Sequence, residues 1–230
     1  MHPVVFLFDV DNTLLDNDRF ELDLRHNLEW KLGTEREARY WAIYEQLRAE
    51  LGYADYLAAL QRLRLEDIHD QRPLGLFSFL LDYPFADRLY PGVLDLLSHV
   101  SRSGPTVIVS DGDAVFQPRK IHRSGLSAAV EGRVVIYLHK DRELADIEAR
   151  YPAQHYVLID DKPGILTPMK EAWGSRVTTV FPRQGHYAHD PANTEKYPPA
   201  DVTVEHIADL LDIELPVLAT AAAGDADADH

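Results

Sequence analysis

The residues best suited to chemistry are acidic and clustered. Asp9-Val10-Asp11-Asn12-Thr13 follows the apolar run Val4–Phe8. Ser110-Asp111-Gly112 follows Thr106–Val109, and Asp160-Asp161 follows Tyr156–Ile159. If those runs are neighbouring strands of one parallel sheet, the clusters meet in one crevice, because open parallel sheets bind ligands outside the carboxyl ends of their strands. Carboxylates brought together repel one another unless a cation lies between them. A small set of hard oxygen ligands, with room left for phosphate oxygens, favours magnesium.

The elements that must position these groups can be read from periodicity. The runs at 4–8, 106–109, 134–138, 156–159 and 177–180 are short, rich in β-branched residues and apolar on both faces. Such runs suit the middle of a parallel sheet covered by helices. Helical spacing lies between them: Val93, Leu96, Leu97 and Val100, then Phe116, Lys120 and Ile121, then Ile165, Met169 and Trp173. From residue 91 onward strand and helix alternate, which predicts an α/β fold with a doubly wound parallel sheet.

Residues 16–88 break the alternation. Three helical faces are readable there: Tyr40, Ile43, Tyr44, Leu47 and Leu51; Tyr56, Leu57, Leu60 and Leu63; and Phe77, Leu80 and Leu81. The expected organisation is a core of residues 1–15 and 89–215 with a helical insert at 16–88, placed to act as a lid. Pro182–Pro199 reads as a polar surface loop, and Val202–Leu211 as a last strand and helix. Residues 216–230 read as a disordered tail of low complexity.

Composition narrows the partners. The formal net charge is -15, so nucleic acid and anionic lipid are disfavoured, and an anionic substrate needs a metal or well-placed cations. There is no cysteine, which excludes thiolate nucleophiles, disulfides and Cys-ligated zinc, and suits the cytoplasm, the expected location. No apolar run is long enough to span a bilayer. The first residues lack the basic start of a signal peptide.

The motifs, in order, resemble those of the haloacid dehalogenase superfamily, over nearly the whole chain to about residue 182. Phe8-Asp9-Val10-Asp11-Asn12-Thr13-Leu14 is similar to its first motif, and Val107-Ile108-Val109-Ser110-Asp111-Gly112 to its second. Lys140 stands where its third motif places a lysine, and Leu158-Ile159-Asp160-Asp161 resembles its fourth. Tyr90-Pro91-Gly92-Val93 resembles the point where a helical cap rejoins the core. The resemblance implies a Rossmann-like core with an inserted helical cap. It implies Asp9 as nucleophile through an aspartyl phosphate, Asp11 as general acid and base, Ser110 as a phosphoryl ligand and Lys140 as the neutralising cation. Asn12 and Asp111 are expected beside the phosphate. Asp9, the Asp11 carbonyl, Asp161 and, in support, Asp160 are expected around magnesium. An acid at position 11 argues for phosphatase or phosphomutase chemistry over dehalogenation. The expected substrate is a small phosphorylated metabolite, and the oligomeric state is left open. A non-catalytic phospholigand-binding protein is the alternative from another class.

Plainer roles exist for each residue. Asp9, Asp11, Ser110, Asp160 and Asp161 could cap helices. Lys140 and Lys162 could be solvated, the latter being the weaker candidate for the site. Asp113 could cap a helix or face the site. His186, His189 and Asp190 resemble metal ligands but lack a helix to fix their spacing. Trp30, Tyr40, Trp41 and Tyr44 fit the core of the insert better than a substrate pocket.

Overall fold

The computed structural model describes residues 1–214, so the expected tail at 216–230 lies outside the described residues. Six strands form one sheet in the order β3-β2-β1-β4-β5-β6, every neighbouring pair parallel. They are β1 His2–Phe8, β2 Thr106–Asp111, β3 Val134–Tyr137, β4 Ala153–Ile159, β5 Val177–Pro182 and β6 Val202–Val204.

Side chains alternate across the sheet, as strand geometry demands. Val4, Phe6 and Phe8 of β1 face one apolar cluster with Ile108, Val157 and Ile159. Val5 and Leu7 face the other with Val107, Val109, Tyr156 and Leu158. Both faces are covered, so the strands read as unbroken apolar runs.

Between β1 and β2 the chain forms α1 Asn17–Leu32, α2 Thr34–Leu51, α3 Tyr56–Glu66 and α4 Leu74–Asp82. Phe20, Leu24, Leu28 and Leu32 recur every fourth residue along α1 and are buried. This helical stripe belongs to a helix that the three faces read from sequence did not include. The α4 stripe is Leu76 and Leu80, with Phe77 half-buried. Leu51 ends up exposed, because α2 stops at Gly52 in the left-handed region.

The insert leaves and returns side by side. Leu15 bridges Leu89, the Tyr90 N–H donates to the Leu14 carbonyl at 3.0 Å, and the Asp16 N–H donates to the Arg88 carbonyl at 2.7 Å. The core continues with α5 Val93–Val100, α6 Phe116–Arg123, α7 Leu126–Ala129, α8 Leu144–Arg150 and α9 Pro163–Trp173.

The stretch expected as a loop at 182–199 contains two short helices, α10 Gly185–His189 and α11 Pro191–Thr194. Asp190 caps α11 by accepting the Ala192 N–H at 2.9 Å, and Pro191 fills its first position. Proline is well tolerated there because that N–H has no helical partner in any case. A short 3-10 helix, Ile207–Asp212, follows β6. No helix among the described residues is long and apolar enough to cross a membrane.

Candidate active site

The strand order reverses at β1: β2 and β3 lie on one side, and β4 to β6 on the other. Such a switch point opens a crevice at the carboxyl ends of the strands. Phe8 is in register with Ile108 and Ile159. The next residues therefore bring Asp9, Ser110, Asp160 and Asp161 to one edge. Lys140 arrives from the 3-10 turn after β3, anchored by its N–H donating to Asp111 Oδ1 at 2.7 Å.

One carboxylate oxygen from each of Asp9, Asp160 and Asp161 lies within 4.8 Å of the others, and all three residues are buried. The Lys140 ammonium pairs with Asp9 Oδ1 and lies 2.6 Å from Asp160 Oδ2. Asp160 Oδ1 accepts the Lys162 N–H at 2.9 Å. Asp9 Oδ2 and both Asp161 oxygens are buried with no hydrogen-bond partner. Buried carboxylate oxygens without donors are costly unless a cation meets them. These orphaned oxygens fit a hard divalent ion, with Asp161 the freest ligand and Asp160 already engaged by lysine.

The electrostatics agree. Burial pushes the Asp9 carboxyl above its ordinary range, against the pull of Lys140. It pushes Asp161 well above that range, against Lys162. Burial works against the Lys140 charge, but Asp160 and Asp9 outweigh it and raise its pKa. Lys162 follows the same pattern under Asp161, Asp9 and Asp160. The reading of Lys162 as a surface lysine is therefore corrected. It is half-buried beside the acids and lines the cleft.

Asp11 points elsewhere. Lys120 Nζ donates to its Oδ1 at 2.6 Å and Gln117 Nε2 to its Oδ2 at 3.0 Å. Its carboxylate stands outside the acid trio, so only its backbone carbonyl remains for the expected metal role. Ser110 Oγ accepts a hydrogen bond from Gln117 Nε2 at 2.9 Å. Thr13 Oγ1 accepts the Asp161 N–H at 3.0 Å, joining the first and fourth motifs.

Asp9, Asp11, Asp160 and Asp161 cap no helix. Asp16 caps α1 and Asp113 takes the Val115 and Phe116 N–H groups at the start of α6. The Asn12 side chain is committed to α1. Its Oδ1 accepts the Asn17 and Asp18 N–H groups at 3.0 and 3.2 Å, and its Nδ2 donates to Asp18. Only its backbone is left for the expected phosphate contact. His186 is held by Asp18 through its N–H and Nδ1, at 2.7 and 2.6 Å. Tyr40 and Tyr44 are buried, Trp41 is half-buried and Trp30 is exposed.

A cleft of about 440 Å³ lies between the insert and the sheet edge, lined by Asp11, Asp111 and Lys162 below and by Glu21, Tyr44, Arg48 and Tyr56 above. A cavity of about 560 Å³ between α9 and the edge of the sheet is lined by Leu166, Phe181 and Pro198, and holds none of the acids.

A model of the haloacid dehalogenase-like hydrolases matches residues 4–161, the span that carries all four motifs. The chain belongs to that family. A solved structure from Burkholderia xenovorans LB400, described as a haloacid dehalogenase-like hydrolase, is 61% identical. It covers 93% of this chain and 100% of its own, with a TM-score of 0.89. The HAD-hydrolase YfnB from Bacillus subtilis, solved bound to magnesium, is 19% identical over 92% of this chain and 98% of its own, TM-score 0.60. L-2-haloacid dehalogenase from Xanthobacter autotrophicus is 16% identical over 91% and 97%, TM-score 0.58. The last two share the fold. No curated protein matches the chain.

As a member of this family the chain is a hydrolase with a buried aspartate trio. The sequence reading did not assign Gln117 and Lys120 to the site. One signal was present: Lys120 shares an apolar helical spacing with Phe116 and Ile121, where a charged residue needs a buried partner.

Proposed function

We propose that the chain is a magnesium-dependent phosphomonoester hydrolase acting on a small soluble phosphate, with Asp9 as nucleophile and the helical insert as its cap. One observation carries the reading. Asp9 Oδ2 and both Asp161 oxygens are buried without donors, while a second carboxylate, Asp11, is held separately at the floor of the cleft. Asp9 Oδ2 is free to attack phosphorus, since Lys140 occupies only Oδ1. As the ester P–O bond breaks, Asp11 gives its proton to the leaving oxygen. It then takes one from the water that attacks the aspartyl phosphate and frees Asp9. Ser110 Oγ and Lys140 Nζ hold and neutralise the phosphoryl oxygens, and placement of charge supplies most of such catalysis. Asp161 and the Asp11 carbonyl would hold the ion, with Asp9 sharing it through the oxygen that does not attack; the ion would supply neutralisation of phosphate charge.

Dehalogenation is disfavoured by the same geometry. A halide leaves without a proton, so an acid held by two donors would have no task. Phosphoryl transfer to a sugar hydroxyl uses the same residues as hydrolysis, and product analysis separates the two.

The test is phosphate release from a panel of small esters that includes p-nitrophenyl phosphate, with magnesium or chelator, beside halide release from 2-chloropropionate. Magnesium-dependent phosphate release, lost by at least about a thousandfold in Asp9→Asn, is expected. Full activity in Asp9→Asn, or chloride release in place of phosphate, overturns the reading.

A further inference from the structure

Lys120 is fully buried on α6, a helix of the core, yet it reaches the insert. Its Nζ has two polar partners, Asp11 Oδ1 at 2.6 Å and Asn17 Oδ1 at 3.0 Å. The rings of Phe20, Tyr56, Phe85 and Phe116 surround the ammonium, with centroids between 5.3 and 5.8 Å away. Ring faces attract a desolvated cation. Even so, replacing a buried ion pair as a whole by apolar side chains of similar volume is often neutral for stability, because the cost of desolvating the charges roughly cancels their attraction. Stability alone does not account for a lysine here.

Its position relative to the acid does. Gln117 and Lys120 are three residues apart and therefore share a face of α6. Gln117 holds one oxygen of Asp11 and Lys120 the other. An aspartate in a loop has several staggered rotamers, and two donors from one rigid helix select one of them. Asn17, the first residue of α1, links this arrangement to the insert. Its Nδ2 lies 3.2 Å from both Tyr56 OH and Glu21 Oε1, and Tyr56 OH donates to Glu21 at 2.6 Å. The chain of contacts runs from the acid, through the lysine, into two helices of the insert.

We infer that Lys120 is a positioning residue that aims Asp11 at the leaving oxygen and couples that aim, through Asn17, to the seating of the insert. The inference rests on the phosphatase reading. It requires that loss of Lys120 harm protonation of the leaving group specifically. Phenyl phosphate and p-nitrophenyl phosphate differ little in shape, but p-nitrophenolate departs far more readily without a proton. The parameter to follow is kcat/KM, which reports steps up to loss of the leaving group.

In Lys120→Met, nearly isosteric, kcat/KM for phenyl phosphate should fall about tenfold or more beyond the fall for p-nitrophenyl phosphate, since general acid catalysis contributes about a hundredfold or more. Asn17→Ala should give the same selectivity, to a smaller degree, and carries the test alone if Lys120→Met does not fold. Equal losses on the two esters, or no loss on either, overturn the inference. A native enzyme inactive on both esters instead overturns the phosphatase reading.

Discussion

At the scale of single residues the site is a set of charges brought together at a cost, and the cost has a pH dependence. Burial raises the pKa of Asp9 and of Asp161. A carboxyl whose folded pKa exceeds its unfolded value, about 3.9 for aspartate, is protonated more readily in the native state. Its contribution to stability is full below the unfolded value and is lost as pH rises through the folded one. On the proposed magnesium-dependent reading, the ion competes with protons for the same oxygens. Without metal, the melting temperature should therefore fall between mildly acidic and neutral pH. At about a hundredfold excess over its dissociation constant magnesium should restore about 2.7 kcal/mol, or roughly 5–11 °C, at neutral pH and less in acid. Asp161→Asn should flatten the pH dependence and abolish the magnesium shift. Thermal melts at several pH values, with magnesium and with chelator, measure both. A native-sized magnesium shift in the variant would remove Asp161 from the metal site.

At the scale of elements the question is what holds the loop that carries the acid. Asn12 has φ 58°, in the left-handed region, and its side chain caps α1 from a distance by accepting two N–H groups. Asn12→Gly should lose only the cap, about a few tenths of a kcal/mol. Asn12→Ala should lose the cap and add about 1 kcal/mol of backbone strain. Urea denaturation of the two variants separates the terms, and equal stabilities would show that the backbone is unstrained. Asn12 also marks how far the elements were legible in advance. β-Branched runs ending in acids announce parallel strands and the crevice above them, because the sheet's two covered faces leave few polar residues until a strand ends. The partners of each acid were not legible, because they come from other elements. The Asn12 side chain serves α1, not a phosphate. Lys162 was expected in solvent but lies beside carboxylates that follow β1 and β4. Lys120 sits opposite Asp11 only after α6 packs beneath the insert. The Asp190-Pro191 pair, by contrast, is a local cap whose signal was present in a stretch expected to be a loop.

At the scale of the molecule the insert and the sheet are joined in two different ways. At the mouth of the cleft the contacts are polar: His186 with Asp18, which is exposed, and Arg48 with Tyr187, which is half-buried. An exposed pair such as the first contributes about 0–1 kcal/mol, so that side of the mouth can part cheaply. At the rear the join is apolar. Phe20 of α1 is fully buried and packs 5.0–5.7 Å, ring to ring, from Tyr56, Tyr83, Phe85 and Phe116. The same apolar cluster runs without interruption from Leu28 and Leu60 in the insert to Phe6 and Ile108 in the sheet. An insert joined through this cluster can part from the sheet at the mouth while staying part of one core. The insert should therefore not unfold before the sheet, and the chain's three tryptophans can report it. Trp41 packs between Tyr40 and Tyr44 in the insert, whereas Trp173 stacks on Tyr156 against the opposite face of the sheet. Fluorescence of Trp173→Phe follows the insert, and fluorescence of Trp30→Phe/Trp41→Phe follows the core. Each variant should unfold in urea in one transition that coincides with its own loss of far-ultraviolet circular dichroism. Phe20→Ala added to either should lower its stability by about 3–5 kcal/mol and keep the two signals together. An insert signal lost at lower urea than the circular dichroism would mean that the cap is a separate folding unit and that the shared cluster does not couple it to the sheet.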